Sequence, residues 1–272
     1  MKILVTGKNG QLARCLKDKA ADFPNLSLTF AARSDADVIL DMGNQASIRK
    51  AVRSVKPDII INAAAYTEVD NAEDNTDLAM LINGKAPGIL AAEAKDIGAI
   101  LLQISTDHVF DGTSDRPYDP EDSPNPINAY GRSKLAGEHA VRDANGHYAI
   151  LRTAWVYSPY GRNFATKMLK RAEANAEITV VADQIGNPTA AHDLAHWLLQ
   201  LCQSLQAGDD RILGKIHHFV GSQVMTRFEF VRDLIAEHGL DCTVLPCKTA
   251  NFKTKAKRPL YAVMKPSSLI GS

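Results

Sequence analysis

Residues 3–13 read Ile-Leu-Val-Thr-Gly-Lys-Asn-Gly-Gln-Leu-Ala. The apolar start of this stretch predicts a short buried strand, and a helical pattern of apolar residues begins near Gly10. Gly7 and Gly10 allow a tight turn and a close backbone approach, with Ala13 where a third glycine would lie. Amide N–H groups at the start of such a helix face an anion such as a pyrophosphate. A plain glycine turn can have the same spacing. Because this spacing directly follows a strand, it favours a dinucleotide-binding unit.

Alternating apolar and helical patterns continue after this opening and define the fold class. Continuous apolar runs, as in parallel sheets covered on both faces, occur at residues 26–32, 58–62, 99–104 and 148–152. Helical spacing lies between them at residues 46–55, 76–95 and 129–143. Within the second of these helices, Asn83 is expected either to be an ordinary surface residue or to bond backbone at a bend. The order predicts an α/β fold with a Rossmann-like, doubly wound parallel sheet.

The alternation becomes less regular after Thr153, which indicates a smaller C-terminal unit. We predict that residues 1–152 and 176–215 form the dinucleotide-binding domain. Residues 153–175 and 216–272 are then expected to form a smaller substrate-binding domain. Two stretches are predicted to be loops: the proline-containing residues 111–128, and residues 249–258, which lack periodicity.

Tyr130 and Lys134 lie four residues apart on a predicted helix, and therefore on one face of it. A free phenol has a pKa of about 10, and a nearby ammonium favours the phenolate and lowers that pKa. Such pairs often occur by chance as two solvated side chains. Here Thr106 also ends an apolar strand, where open α/β sheets bind ligands. The combination predicts a nicotinamide-dependent reductase in which the Thr106 hydroxyl bonds a substrate oxygen. The alternative for Thr106 is a threonine that only caps the end of the strand.

The end of the second predicted strand bears on the choice of cofactor. An acid near this point is typical of NAD selectivity, whereas Arg33 stands here and can pair with the 2′-phosphate of NADP. We predict that NADPH is used at least as well as NADH. The alternatives are a solvated Arg33, and a ribose contact from Asp35 or Asp37. Asp41 is expected near the adenine, and the small residues 63–65 let a cofactor approach the backbone.

Composition excludes several other classes of function. The 272 residues carry 31 Lys+Arg and 31 Asp+Glu, so no overall field favours nucleic acid or an anionic membrane. No apolar run approaches the ~18 residues of a membrane span. The first residues lead directly into a strand, and the four cysteines form no zinc pattern. We therefore expect a cytoplasmic protein with free thiols, no bound metal, no membrane contact and no nucleic-acid partner.

Several motifs together resemble the dTDP-4-dehydrorhamnose reductase family of extended short-chain dehydrogenases/reductases. The matching stretches are residues 6–12, 62–70, 105–112, 130–138, 152–157 and 183–189, with a weaker closing motif at 258–264. The resemblance implies reduction of the 4-keto group of a nucleotide-linked 6-deoxy sugar, with dTDP-4-dehydro-L-rhamnose as the expected substrate. Tyr130 would protonate the keto oxygen as hydride reaches its carbon, and Lys134 would lower the Tyr130 pKa and hold the nicotinamide ribose.

The resemblance also completes the predicted sites. The catalytic set is Thr106, Tyr130 and Lys134. The predicted NADPH (or NADH) site comprises Gly7, Asn9, Gly10, Gln11, Leu12, Arg33, Asp41, Met42, Ala63, Ala64, Ala65, Tyr130 and Lys134. The predicted nucleotide-sugar site comprises Val69, Thr106, Asp107, Tyr130, Trp155 and Arg258. Arg258 is expected to grip the diphosphate in bidentate fashion, from a basic loop that orders when substrate binds.

Departures from the family pattern leave alternatives open. His108 stands where the family usually has tyrosine, and the chain stops soon after the closing motif, so we expect the family's final helix to be absent. Some relatives bind magnesium through glutamates at a dimer interface; these glutamates cannot be placed here, and a homodimer is kept as an open expectation. One alternative is a reductase or epimerase of a different nucleotide sugar. Another is a non-catalytic regulatory subunit of the same fold, which the retained Thr106, Tyr130 and Lys134 disfavour.

Overall fold

A parallel sheet of seven strands forms the centre of the computed structural model, which describes residues 1–144 and 146–268. The strands of the described residues are β1 (Lys2–Thr6), β2 (Ser27–Ala32), β3 (Val38–Ile39), β4 (Ile59–Asn62), β5 (Ile100–Thr106), β6 (His147–Thr153), β7 (Val156–Tyr157), β8 (Glu177–Val181), β9 (Ile185–Gly186), β10 (Thr189–Ala190), β11 (Lys215–His218), β12 (Met225–Thr226) and β13 (Thr243–Cys247). The helices are α1 (Gln11–Lys19), α2 (Gln45–Val55), α3 (Thr76–Ala79), α4 (Ala86–Ile97), α5 (Ala129–Asp143), α6 (Phe164–Ala174), α7 (Ala191–Gln206) and α8 (Arg227–Glu237). No helix within these ranges is both long and apolar enough to cross a membrane.

The spatial order of the central sheet is β11-β6-β5-β4-β1-β2-β3, and every pairing in it is parallel. The order reverses between β1 and β4, which places a ligand-binding crevice at the carboxyl ends of these strands. One apolar cluster packs α1 and α7 on one face, and a second packs α2 and α4 on the other. The predicted doubly wound α/β fold is thus confirmed.

A smaller unit lies outside the central sheet. Its centre is the parallel pair β8 and β13, which packs against α6 and α8 through Met168, Ile178, Val180, Val231 and Ile235. Two strands fall on the other side of the predicted domain boundaries. Strand β8 was expected in the dinucleotide-binding domain but pairs with β13, whereas β11 extends the central sheet beyond residue 215. The division into two domains otherwise stays a prediction.

The helix predicted over residues 76–95 is interrupted in the middle. A π-helical segment, Met80–Lys85, joins α3 to α4 and contains the buried Asn83. The Asn83 side chain accepts a hydrogen bond from the Tyr66 N–H (2.8 Å) and donates to the Tyr66 carbonyl (3.0 Å) and to Ser133 Oγ (3.0 Å). The expected bend with backbone bonding is therefore present, and it ties the segment after β4 to helix α5.

Helix α5 is held against β5 and the π segment by backbone contact and by a buried ion pair. A Cβ built at Gly131 would lie 2.1 Å from the His108 carbonyl oxygen, and one at Gly137 would lie 2.1 Å from the Asn83 carbonyl oxygen. Further along the helix, Glu138 accepts hydrogen bonds on both carboxylate oxygens from Arg152 of β6, at 3.0 and 2.7 Å. These contacts fix the height of the helix relative to the end of β5.

Candidate active site

Thr106 lies where β5 ends, at the carboxyl edge of the central sheet, and is buried. Its hydroxyl oxygen accepts a hydrogen bond from the His108 N–H at 3.2 Å, so it caps the 3₁₀ turn Asp107–Val109. The same hydroxyl donates to Asp107 Oδ1 at 2.9 Å. The cap fixes the hydroxyl at the strand end, beside Tyr130.

Tyr130 is positioned by the start of α5. Asn128 caps this helix by accepting from the Gly131 N–H at 2.8 Å, and its amide nitrogen contacts His108 Nδ1 (2.9 Å) and donates to the Lys257 carbonyl (2.8 Å). The His108 and Tyr130 rings meet edge to face at 5.4 Å. Asn128 therefore joins the strand end, the helix start and the C-terminal segment around one phenol. Sequence analysis missed its role, although an asparagine before a helical pattern is a recognisable cap signal.

The protein environment raises the pKa of Tyr130 to about 12, because burial disfavours the phenolate. The neighbouring Thr106 hydroxyl opposes this effect, whereas the nearby Asp107 carboxylate adds to it. The direction is opposite to the one predicted from the Tyr130–Lys134 spacing, and Lys134 is not among the groups that shift this pKa. Tyr130 is consequently a neutral phenol at pH 7, which is the form that can donate a proton.

Lys134 lies one turn further along α5 and is only 4% exposed. Its ammonium donates to the Ile104 carbonyl at 2.6 Å. Burial lowers the pKa of Lys134 to about 8, and the negative charge of Glu138 partly opposes that shift. A lysine ammonium has three donors, so further hydrogen bonds remain available beside the phenol. The three predicted catalytic side chains thus meet at one strand end.

The glycine turn after β1 lies next to the segment after β4. Gly7 has φ +77°, and a Cβ there would lie 3.0 Å from Ala64 Cα, which leaves room for glycine alone. The Ala64 N–H donates to Thr6 Oγ1 at 3.1 Å. Gly10 precedes α1 and has no side chain, so the first N–H groups of that helix receive no hydrogen bond from a capping side chain.

The remaining predicted cofactor residues differ in what their side chains contact. Asn9 and Arg33 are exposed, while Gln11 accepts from Ser158 Oγ at 2.9 Å. Leu12 and Met42 are buried in the two apolar clusters, so only their backbone atoms are free to face a ligand. Asp41 accepts from the Gly43 N–H at 2.9 Å. Ala63 and Ala65 are half-buried beside Ala64.

Asp37, one of the alternatives to Arg33, is already bonded to the protein. Its carboxylate accepts from the Phe30 N–H at 2.8 Å, which closes the turn between β2 and β3. Asp35 is exposed in the same turn and has φ +48°, with its carbonyl bonded to the Lys8 ammonium.

Arg258 reaches the site from the C-terminal segment and pairs with Asp70. Its two terminal nitrogens donate to the two Asp70 oxygens at 3.1 and 2.6 Å, and one also donates to the Ala256 carbonyl at 3.0 Å. This bond to Arg258 is the largest influence holding the Asp70 pKa below its usual range. Val69, the adjacent predicted site residue, is half-buried. Sequence analysis did not foresee the role of Asp70 as the partner of Arg258.

Trp155 has a left-handed backbone (φ +46°), and its indole lies against the Gly186 backbone. On this indole rests the guanidinium of Arg227, whose carbon is 3.6 Å from the ring centroid. The charges of Asp107, Arg258 and Arg227 all act on His108, whose pKa is lowered chiefly by burial. These groups therefore share one region beside Tyr130. Arg227 was missed because a single arginine in a helical pattern carries no motif.

One group of possible metal ligands lies apart from this region, formed by Cys15, Asp18 and His192. Asp18 already accepts from Tyr160 Oη at 2.7 Å and lies 3.0 Å from His192 Nε2. Burial raises the pKa of Cys15 to about 11, and a protonated thiol is a poor metal ligand. The expectation of no bound metal stays a prediction.

Comparison with known proteins places this arrangement in a family. The family described as "RmlD substrate binding domain" matches residues 1–270. The dTDP-4-dehydrorhamnose reductase of Sinorhizobium fredii is 38% identical over 263 residues, covering 95% of this chain and 87% of that protein. The dTDP-4-dehydrorhamnose reductase structure from Clostridium acetobutylicum superposes with a TM-score of 0.89 at 38% identity, over 98% of this chain and 90% of that one. The corresponding structure from Bacillus anthracis, in complex with NADP, gives a TM-score of 0.90 at 34% identity with the same coverage, 98% and 90%. This chain belongs to the dTDP-4-dehydrorhamnose reductase family.

Proposed function

We propose that this protein uses NADPH to reduce the 4-keto group of dTDP-4-dehydro-L-rhamnose, giving dTDP-L-rhamnose. The observation that carries the proposal is the meeting of Thr106, Tyr130 and Lys134 at the end of β5, in a chain of this family. The strand end lies beside the sheet's switch point, where a dinucleotide binds in doubly wound folds.

The residues around the glycine turn fit a dinucleotide. The close contact of Gly7 with Ala64 and the uncapped start of α1 leave backbone N–H groups facing the position of a pyrophosphate. When bound, the nicotinamide supplies the hydride. Lys134, with donors left beyond its bond to the Ile104 carbonyl, is suited to hold the nicotinamide ribose.

The proton comes from the protein in this proposal. Tyr130 is neutral at pH 7, and its Oη–H is the donor to the keto oxygen as negative charge develops there. Thr106 donates a second hydrogen bond to the same oxygen and orients the carbonyl. For this, its hydroxyl exchanges the present bond to Asp107 for one to substrate. Tyr130 keeps its proton at working pH, as a proton donor in the reductive direction must.

Arg33 supports the use of NADPH at least as well as NADH. It is exposed at the end of β2, and the competing Asp37 is engaged with Phe30. A guanidinium–phosphate bond is worth about 1.5–3 kcal/mol when ordered, although exposure reduces it. Dissociation constants of NADPH and NADH in the wild type and in Arg33→Ala test the assignment. An unchanged NADPH/NADH ratio would remove Arg33 from the site.

We also propose a cytoplasmic location. All four cysteines are free thiols, as suits a reducing compartment. A homodimer stays a prediction, which sedimentation of the purified protein would test.

The decisive experiment supplies purified protein with NADPH and dTDP-4-dehydro-L-rhamnose and identifies the product by NMR. We expect dTDP-L-rhamnose together with stoichiometric loss of NADPH absorbance. A product with the other configuration at C4, or reduction of a different nucleotide sugar only, would replace this substrate assignment. Binding of NADPH without turnover on any 4-keto sugar nucleotide would favour a regulatory subunit.

A further inference from the structure

Arg227 is the first residue of α8 and projects between two aromatic rings. Its guanidinium carbon lies 3.6 Å from the centroid of the Trp155 ring and 4.5 Å from that of Phe164. Such stacking uses the flat face of the guanidinium and leaves its N–H edges free to donate. The indole is itself backed by Gly186, where a Cβ would lie 2.6 Å from the ring. The guanidinium therefore has a defined position and orientation.

The charge of Arg227 is poorly compensated by the protein. Among residues 1–144 and 146–268, no carboxylate forms an ion pair with it, whereas Arg258 has Asp70. Burial lowers the pKa of Arg227 to about 9; Asp107 favours its charged form, and Arg258 opposes it. A cation at the first turn of a helix is also disfavoured by the helix dipole. A desolvated cation of this kind gains free energy when an anion is brought to it.

The location points to a ligand and not to a structural ion pair. Arg227 and Arg258 act on each other and on His108, whose ring lies 5.4 Å from that of Tyr130. A nucleotide sugar whose 4-keto group reaches Tyr130 must place its diphosphate within a few bonds of that point. A diphosphate diester carries one negative charge on each phosphorus, so two guanidinium groups match it.

We infer that Arg227 is a phosphate-binding residue of this site, donating to the nucleotide-sugar diphosphate from its seat on Trp155 while Arg258 contacts the other phosphate. The inference rests on the proposed function. It assigns Trp155 a second task, since the indole sets the plane of the guanidinium as well as lining the sugar pocket. The competing explanation is that Arg227 only packs against Trp155, and this explanation makes a different prediction.

The test is the affinity of thymidine diphosphate for the wild type, Arg227→Met and Arg227→Lys, measured by calorimetry at several salt concentrations. Methionine keeps an apolar chain over the indole but removes the charge, whereas lysine keeps the charge. Arg232→Met is the matched control, because Arg232 is on the same helix but exposed and paired with Asp233 at 2.7 Å. The NADPH dissociation constant of each variant reports on the integrity of the dinucleotide site.

We expect Arg227→Met to weaken thymidine diphosphate binding by about tenfold to a hundredfold, as for loss of a charge-assisted hydrogen bond. The salt dependence of binding should become shallower in Arg227→Met, and should be retained in Arg227→Lys and Arg232→Met. Binding within twofold of wild type in Arg227→Met would overturn the inference. So would weaker binding with unchanged salt dependence, or an equal loss of NADPH affinity.

The same variants separate this inference from the proposed function. The variants could differ from the wild type in thymidine diphosphate binding as expected, while the wild type reduces no 4-keto sugar. In that case the proposed function is wrong and Arg227 remains a phosphate ligand. If the wild type turns over dTDP-4-dehydro-L-rhamnose and Arg227→Met leaves its KM unchanged, only the assignment of Arg227 is wrong.

Discussion

Two buried charges one turn apart on α5 have opposite surroundings. Glu138 is 1% exposed and accepts two hydrogen bonds from Arg152 and one from Ser105. Lys134 is 4% exposed, yet its hydrogen-bond partner among the described residues is a single backbone carbonyl, that of Ile104. Burial lowers the pKa of Lys134 to about 8.

The difference distinguishes Glu138, whose charge has a structural role, from Lys134, whose charge is available to a ligand. Glu138 has its oxygens bonded inside the protein, so a ligand could reach it only by breaking those bonds. Lys134 has donors to spare and a pKa near the working range, so both a ligand and a change of pH affect it. Tyr130 lies one turn before Lys134, so both proposed catalytic side chains of α5 are on the N-terminal side of Glu138.

The largest effect is expected for Tyr130→Phe, which removes the proton donor and keeps the ring. Turnover should fall by about 10²–10⁴-fold, the usual contribution of general acid catalysis. The NADPH dissociation constant should change little, because the helix and Lys134 remain in place. Single-turnover kinetics with a parallel binding titration check both statements. Near-normal turnover in this variant would show that another group supplies the proton.

Arg152→Met removes the ion-pair partner of Glu138, the buried charge whose oxygens are bonded within the protein. It leaves Glu138 charged, buried and bonded only to Ser105, which should lower the free energy of unfolding by about 3–5 kcal/mol. Urea unfolding of the wild type and the variant measures the loss. The double variant Arg152→Met/Glu138→Met should recover much of the stability, because no unpaired charge is left. A single variant as stable as the wild type would contradict the structural role assigned to this pair.

The pH dependence of kcat/KM tests Lys134, the charge whose donors are not all used by the protein. Lys134 carries its charge below its pKa, so kcat/KM should be level below pH 8 and fall as pH rises through about 8. Tyr130, with a pKa of about 12, keeps its proton throughout this range and should add no limb. A basic limb near pH 6–7 would instead indicate a phenol whose pKa is lowered, as the sequence spacing alone predicts.

The smallest effect is expected at Arg258. Its charge is paired, as that of Glu138 is, but the ion pair is partly open to water. Its partner Asp70 has a 41% exposed side chain, so water can replace either partner when a ligand arrives. Arg258→Ala should raise the substrate KM by about tenfold, with little change in NADPH affinity. Asp70→Asn is the matched control: it frees the arginine and should leave KM equal or lower. An unchanged KM in Arg258→Ala would leave Arg258 as a structural partner of Asp70 only.

Local patterns predicted the frame of this site well. The helix predicted over residues 129–143 has those bounds, and the apolar runs before Asn62 and Thr106 form strands of the central sheet. The sequence signals that predict these helices and strands, apolar periodicity and helix caps, lie within single segments of the chain. The pairing of β8 with β13 was missed, because the two strands are far apart in sequence and Pro246 interrupts the second.

The charges of the site could not be predicted in the same way. The spacing of Tyr130 and Lys134 gives their common face but not their burial, and burial decides the direction of both pKa shifts. The pairing of Arg258 with Asp70 and the stacking of Arg227 on Trp155 depend on how the C-terminal segment packs. These are long-range contacts between single residues, without a repeating pattern.

The contacts of Gly131 and Gly137 limit how this enzyme can be redesigned. Both lie against backbone carbonyls with no space for a methyl group, one from the turn after β5 and one from the π segment. Even an alanine at either position would force α5 away from its neighbours and carry the proton donor with it. A directed-evolution library for new sugars should therefore diversify the pocket rim and leave these two codons unchanged.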